Sequence, residues 1–219
     1  MRGFGWWTDA PFAGDVWPPR YTHTMTPLPP SFYARPALVV ARELLGTLLV
    51  VRDAHGVRRV GRIVETEAYI GEHDLACHAA KGLTARTEVM FGPAGRAYVY
   101  FIYGMHCCFN VVTDEPGVGA AVLIRALEPV EGLEAEVRTD GPGRLCKALG
   151  LNLTHNRMEL GTDALHLLAG EAVAEARVEQ GPRIGVDYAG EWAQKPFRFW
   201  VGDSQHVSRR PAPRARKRP

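Results

Sequence analysis

Two apolar segments joined by a short turn constrain the fold of this chain more than any other feature. Residues 48–52 (LLVVR) and residues 57–69 are both rich in β-forming side chains. Between them, Asp53-Ala-His-Gly56 has the residue types that turns favour. Two strands joined by so short a connection run antiparallel. The sequence therefore predicts a β-hairpin and, with it, an antiparallel sheet.

Further segments add strands, but strands and helices do not alternate regularly. Strands are predicted at residues 98–102, 107–112, 120–127 and 197–201. Helices are predicted at residues 36–46 and 144–149, and Pro129 is predicted to open a further short helix. Because parallel sheets need repeated βαβ units, this order predicts an α+β fold. We expect a single compact domain with a curved, largely antiparallel sheet flanked by helices.

Composition and charge divide the chain into three parts. Residues 1–30 are rich in proline and tryptophan and are expected to be poorly structured, whereas residues 31–207 are expected to form the folded domain. Residues 208–219 contain six arginines and lysines and no acid, which is typical of a disordered basic tail. Without those six, 20 basic residues remain against 24 acidic ones, so the tail carries the excess positive charge. Such a tail suits either a solvated chain end or an arm that contacts a polyanion.

The chain shows no feature of a secreted or membrane protein. No apolar run is long enough to span a bilayer, and the first residues lack the order of a signal peptide. The four cysteines form no C-x-x-C pair, so we expect buried, reduced thiols. These features predict a soluble intracellular protein.

Two acidic residues on the second hairpin strand are the first candidates for chemistry. Side chains alternate along a strand, so Glu65, Glu67 and Tyr69 are predicted to share one face. A carboxylate held against apolar groups can act as a general base on water. The same pattern also fits the solvent-facing edge of a sheet, and the pattern alone favours that interpretation.

A run of aromatic residues is the second candidate. Tyr98 and Tyr100 are predicted to share a face of their strand, and Tyr103 is predicted to lie near the following turn. Aromatic faces can stack on an unpaired base, and a ring at an exposed turn can wedge into a duplex. The alternative is a tyrosine-rich core strand.

Three polar residues stand in or near segments that otherwise look apolar. Asn110 and Arg125 lie in predicted core strands, where each needs a partner or a polar pocket. His78 could stack or hydrogen-bond in a pocket, or it could be a surface residue. Because no H-x-E…C-x-x-C or H-E-x-x-H arrangement is present, the sequence predicts no metal site.

Two segments could contact phosphate groups. Residues 141–143 (GPG) precede a predicted helix, and Arg144 and Lys147 add positive charge there. Arg183 and Lys195 lie among glycines and prolines late in the chain. Each segment could equally be an ordinary loop.

Several ordered motifs in the chain resemble the alkyladenine (3-methyladenine) DNA glycosylase family. They are ARELLG (41–46), RIVETEAY (62–69), MFGP (90–93), YVYFIYGM (98–105), LIRALEP (123–129), GPGRLC (141–146) and AGEW (189–192). The resemblance implies a monofunctional enzyme that flips an alkylated or deaminated purine out of duplex DNA and hydrolyses its N-glycosidic bond. It also implies a compact α+β fold, no metal or redox cofactor, and a monomer in the cytoplasm, associated with the nucleoid in a bacterium.

The same resemblance implies roles for individual residues. Glu67 would be the general base that activates water, and Arg125 would help to hold that water or the nearby backbone. The walls of the base pocket would be formed by Tyr69, His78 and Tyr100. Asn110 would exclude the exocyclic amine of guanine, and Tyr103 would fill the gap in the duplex.

Three positions depart from the family pattern. Ala80 and Lys81 stand where an aromatic residue and an arginine are expected, and Thr87 stands where asparagine is usual. The departures affect the expected substrate contacts of this loop rather than the reaction. The alternative function is a non-catalytic nucleic-acid-binding module that uses the tyrosines and the basic tail; a hydrolase of nucleosides or RNA is a third interpretation.

Overall fold

The computed structural model describes residues 26–208, except residues 103, 105 and 135. The strands are β1 (Leu48–Arg52), β2 (Arg58–Tyr69), β3 (Ala97–Ile102), β4 (His106–Thr113), β5 (Ala120–Glu131), β6 (Leu165–Leu168), β7 (Val178–Gly181) and β8 (Arg198–Val201). The α-helices are α1 (Pro30–Tyr33), α2 (Ala37–Glu43) and α3 (Pro142–Leu149). Short 3₁₀-helices cover His78–Lys81, Glu88–Phe91, Leu153–His155, Glu175–Arg177 and Asp187–Gln194.

The strands form one curled sheet in which all of these strands pair antiparallel. The predicted hairpin is present, with Leu48 opposite Arg62 and Arg52 opposite Arg58. Strand β2 runs through the middle: its first half pairs with β1, its second half with β8, and β5 follows most of its length. The α+β prediction is confirmed. The central place of β2 brings both of its acidic residues into the interior.

The prediction that Pro129 opens a helix is wrong. Strand β5 continues through Pro129 to Glu131. Pro129 lies opposite Gly61, directly beside a register irregularity, and β4 pairs with β5 only as far as Leu123. Proline is tolerated in strands at irregularities and edges because its missing N–H then breaks no ladder bond. The proline therefore marks a local distortion of the strand rather than its end.

The main apolar core lies between the sheet and helix α2. Val64 and Ala68 of β2 belong to this core together with Val40 and Ala41 of α2. The Thr66 hydroxyl donates a hydrogen bond to the Ala41 carbonyl at 2.7 Å, which fixes the helix on the sheet. From Val64 onward, the residues of β2 with even numbers thus face this side of the sheet, as the alternation of strand side chains requires.

Two short strands and the segment before helix α1 differ from the predictions. Strands β6 and β7 were not predicted from the sequence. Leu28 donates its N–H to the Leu167 carbonyl at 2.8 Å, so the end of the predicted N-terminal extension lies along β6.

Cys77, Cys108 and Cys146 are buried and Cys107 is half-buried, and all four are free thiols. Residues 1–25 and 209–219, with most of the basic tail, lie outside the described part of the chain. No helix in the described ranges is long and apolar enough to cross a membrane.

Candidate active site

The two acidic residues of β2 are completely buried, so the interpretation as a solvent-facing edge is wrong. Glu65 and Glu67 are both 0% exposed. The physical reason is topological: at Glu65 and Glu67, β2 has β5 on one side and β8 on the other. A buried carboxylate is costly unless it is paired and hydrogen-bonded. Both acids should therefore have dedicated partners.

Glu67 is held by three donors from three separate segments. The Tyr69 hydroxyl donates to Glu67 Oε2 at 2.9 Å, and Arg125 Nη1 donates to the same oxygen at 3.2 Å. The backbone N–H of Ile184 donates to Glu67 Oε1 at 2.7 Å. The prediction that Glu67 and Tyr69 share a face is thus confirmed. These contacts fix the carboxylate in one orientation.

Arg125 links Glu67 to the second buried acid. Its Nε donates to Glu65 Oε1 at 3.1 Å, and Arg198 Nε donates to that same oxygen at 2.7 Å. Burial works against a charged guanidinium, but the nearby carboxylates of Glu67 and Glu65 outweigh it and raise the pKa of Arg125. The guanidinium therefore stays cationic between two carboxylates.

A local irregularity in the sheet accompanies this arrangement. In the ladder between β2 and β5, Ile63 lies opposite Leu127 and Thr66 lies opposite Ile124, but Glu65 lies opposite Ala126. Arg125 has no partner of its own in that ladder. Irregularities of this kind re-aim side chains and are frequent beside active sites. Here the Arg125 side chain reaches both acids of β2.

An aromatic cavity of about 390 Å³ lies beside the acid pair. Among the residues that line it are Tyr69, His78, Met90, Tyr98, Tyr100, Cys108, Asn110, Leu123, Arg125, Pro142, Ile184 and Tyr188. Five of the predicted site residues therefore meet in one cavity: Tyr69, His78, Tyr100, Asn110 and Arg125. Glu67 lies behind them, in contact with the lining residues Tyr69, Arg125 and Ile184.

His78, Tyr98 and Tyr100 form one aromatic wall of this cavity. The rings of His78 and Tyr100 lie 4.6 Å apart at 72°, and those of Tyr98 and Tyr100 lie 5.2 Å apart at 38°. His78 Nδ1 and the Tyr98 hydroxyl oxygen are 2.8 Å apart, within hydrogen-bond distance. Tyr98 is therefore a core residue, as one of the two interpretations of the tyrosine run expected, and it also supports His78.

The histidine and tyrosine side chains that line this cavity are uncharged near pH 7, whereas Arg125 is cationic and is paired with Glu65 and Glu67. Burial, together with the positive charges of Arg86 and Lys81, lowers the pKa of His78 to about 4. Burial, followed by the negative charge of Glu67, raises the pKa of Tyr69, and burial also raises the pKa of Tyr100. An uncharged aromatic wall suits a flat ring system that is neutral or cationic.

The neutral His78 should make stability depend on pH. Because its pKa in the folded chain lies below the ordinary 6.5, its contribution is complete above pH 6.5 and is lost as the pH falls toward about 4. We expect the free energy of unfolding of the parent to fall more between pH 7 and pH 5 than that of His78→Gln. Urea unfolding at the two pH values measures this difference. An equal loss in both proteins would contradict a neutral, buried His78.

Asn110 is 3% exposed and is fixed by the backbone of the neighbouring strand. Its Nδ2 donates to the Tyr98 carbonyl at 2.9 Å. An amide held in this way keeps its position when a ligand enters the cavity. Asn110 is therefore a rigid part of the pocket wall.

The sequence did not predict the ion pair between Arg183 and Asp74 or the backbone contact of Ile184 with Glu67. Of the two interpretations left open for Arg183, the phosphate contact is wrong: its side chain is buried, and its Nη2 donates to Asp74 Oδ1 at 2.8 Å. The guanidinium also lies over the Tyr69 ring, 4.7 Å from its centroid. Asp74 in turn accepts the N–H of Ala76 at 3.1 Å. This ion pair joins the loop that follows β2 to the loop that supplies the Ile184 N–H. No sequence signal marks either partner.

Other predicted contacts are not brought into the cavity. Arg144 is exposed and binds Asp140 at 3.1 Å, so its contact with phosphate stays a prediction. Tyr103 lies outside the described residues.

Thr87, one of the departures from the family pattern, accepts the Thr84 N–H at 2.8 Å and donates to the Gly82 carbonyl at 2.8 Å. Threonine at this position therefore closes its own loop.

A family model described as Methylpurine-DNA glycosylase (MPG) matches residues 31–205. The chain belongs to this family. Membership supports a DNA glycosylase that acts in DNA repair and binds DNA as its substrate. The match covers every residue of the acid pair and the cavity described above.

Similar proteins span almost the same length. A protein of Myxococcus xanthus (strain DK1622), provisionally named 3-methyladenine DNA glycosylase, is 75% identical over 190 residues, which cover 87% of this chain and 97% of the relative. Proteins with the same provisional name from Legionella pneumophila (strain Corby) and Methanocella arvoryzae are 49% and 50% identical. Those matches cover 84% and 85% of this chain, and 100% and 98% of the relatives.

Proposed function

We propose that this glycosylase hydrolyses the N-glycosidic bond of a damaged purine that is flipped from duplex DNA into the aromatic cavity. The observation that carries the proposal is the position of Glu67. Its carboxylate is fully buried, fixed by three donors, and in contact with residues that line a cavity of about 390 Å³. An enzyme that acts on a base inside a duplex must bring that base into such a pocket.

Glu67 is proposed as the general base. In the proposed step, a water oxygen bonds to the sugar C1′ and gives a proton to Glu67. The bond between C1′ and the base nitrogen breaks, and its electron pair leaves with the base. The negative charge of Glu67 also stabilises positive charge that develops on the sugar. Arg125 orients the carboxylate through its 3.2 Å contact and helps to hold the water.

The cavity walls suit damaged purines. An alkylated purine with a positive charge stacks well on the faces of Tyr69 and Tyr100 and is already a good leaving group. A neutral lesion such as hypoxanthine needs more help, by protonation of the leaving base. Among the residues that the structure describes, none that lines the cavity is a lysine, so we propose a monofunctional enzyme with no Schiff-base step. Borohydride trapping of a covalent enzyme–DNA adduct would refute this.

Asn110 is proposed to exclude guanine. Because its amide is fixed to the Tyr98 carbonyl, it cannot move aside for the exocyclic amine of that base. We expect Asn110→Ser to raise the release of undamaged guanine, relative to hypoxanthine, by roughly tenfold. Base release from matched duplexes measures the ratio. An unchanged ratio would remove Asn110 from this role.

Two further proposals rest on the family resemblance and on charge. Tyr103 is proposed to fill the gap that the flipped nucleotide leaves in the duplex. The basic residues after Ser208 are proposed to contact DNA phosphates, which would make binding dependent on salt.

The test of the proposed function is single-turnover release of free base. Duplexes with one hypoxanthine or one alkylated purine are incubated with excess protein, and free nucleosides serve as the comparison. We expect free base and an abasic site from at least one duplex, and no hydrolysis of nucleosides. Lesion binding without release from any duplex would favour the non-catalytic module, and hydrolysis of free nucleosides would favour the third interpretation.

A further inference from the structure

The second buried acid, Glu65, has no part in the proposed reaction. It is 0% exposed and does not line the cavity. Four donor groups nevertheless converge on its two oxygens. Burying a carboxylate is costly, even when it is fully hydrogen-bonded. We therefore looked for a role of Glu65 in the site beside it.

Two of those four donors come from Ser208, which is the first residue of the predicted basic tail and the last described residue of the chain. The Ser208 N–H donates to Glu65 Oε2 at 2.7 Å, and its hydroxyl donates to Glu65 Oε1 at 2.9 Å. Arg125 Nη2 in turn donates to the Ser208 hydroxyl oxygen at 3.3 Å. Ser208 therefore contacts both the acid and the arginine that the acid binds.

These contacts determine the orientation of the Arg125 guanidinium. Its Nε is directed at Glu65, its Nη2 at Ser208, and its Nη1 at Glu67. The guanidinium group is planar and rigid, so fixing two of its nitrogens also fixes the third. The Nη1 contact with Glu67 is thus set from the opposite end of the guanidinium.

We propose that Ser208 and Glu65 are positioning residues that hold Arg125 against the general base, so that the C-terminal segment of the domain completes the active site. This inference rests on the proposed function. It adds that the reaction requires Ser208, which follows the last strand of the sheet. Neither residue touches the cavity. Both act through Arg125.

The experiment compares three variants in single-turnover base release from a lesion duplex. Ser208→Ala removes the hydroxyl, and Ser208→Thr keeps it. Ser31→Ala, at an exposed position of helix α1, is the control variant. Because small displacements of catalytic groups are costly, we expect Ser208→Ala to slow the chemical step by about tenfold. We expect Ser208→Thr to restore most of the rate and Ser31→Ala to leave it unchanged.

Two further measurements separate positioning from loss of folding. Affinity for a duplex with a non-cleavable abasic-site analogue should be unchanged in Ser208→Ala, because binding does not need the general base. In an Arg125→Lys background, Ser208→Ala should have no additional effect, because residues that act through one another are not additive. Glu65→Gln provides a second variant and should slow the reaction in the same direction.

The outcomes distinguish this inference from the proposed function. If the parent releases no base from any lesion duplex, the proposed function fails and the inference fails with it. If the parent is active but Ser208→Ala keeps the full rate, or if its effect adds fully to that of Arg125→Lys, only the positioning role is overturned.

Discussion

Glu67→Gln is expected to lower the single-turnover rate of base release by about 10²-fold or more. Glutamine keeps the size of the side chain: its single amide oxygen can still accept the Ile184 N–H, and its NH2 group can donate to the Tyr69 hydroxyl oxygen. It cannot take a proton from water, and it gives no negative charge to balance Arg125 or the developing charge of the sugar. The measurement is base release from hypoxanthine and alkylated-purine duplexes under excess enzyme, together with affinity for the same duplexes.

The control for this experiment is Glu175→Gln. Glu175 is an exposed glutamate that pairs with Arg42 on the surface, so its replacement should leave the rate unchanged. Loss of release with DNA binding intact would support Glu67 as general base. Release that survives Glu67→Gln would keep the glycosylase activity but remove Glu67 from its proposed role.

Arg183→Ala is expected to lower the free energy of unfolding by about 3–5 kcal/mol, far more than the loss of an exposed ion pair. Its side chain and that of Asp74 are both fully buried, and removing the arginine leaves an unpaired carboxylate in the interior. For a chain of this size the loss corresponds to a fall in Tm of roughly 6–20 °C. We also expect slower base release, because the neighbouring Ile184 N–H would no longer be held at Glu67 Oε1.

Arg157→Ala is the matched control for stability. Arg157 binds Glu88 at 2.8 Å, but both side chains are more than half exposed. Exposed pairs of this kind contribute about 0–1 kcal/mol. Thermal and urea unfolding of the two variants measure the contrast. Equal losses of unfolding free energy in Arg183→Ala and Arg157→Ala would show that the buried pair does not stabilise the contact between the loop after β2 and the loop that contains Ile184.

Local patterns predicted which residues share a face, but not where that face points. Alternation along β2 places Glu65, Glu67 and Tyr69 together, and this follows from strand geometry alone. Whether the face is solvent or interior depends on β8, which pairs with β2 from more than 130 positions away in the sequence. No local pattern contains that information.

The same limit explains the residues that sequence analysis missed. Ile184 acts through its backbone N–H, which every residue except proline possesses. Arg183 lies in a loop next to proline and glycine, where a surface role is the natural expectation. Its partner Asp74 is 109 positions away. Pro129 misled for a different reason, since the β-irregularity that accommodates it is not marked in the sequence.

The irregular ladder between β2 and β5 limits how the lengths of these strands can change in evolution. The register before the irregularity, at Ile63 and Leu127, is the same as the register after it, at Thr66 and Ile124. A loss or gain of one residue in either strand would break this match. It would turn the following side chains to the opposite face of the sheet. Glu67 and Tyr69 would then point into the apolar core beneath α2. We expect homologous chains to vary in the length of their loops while these two strands exchange residues only one for one.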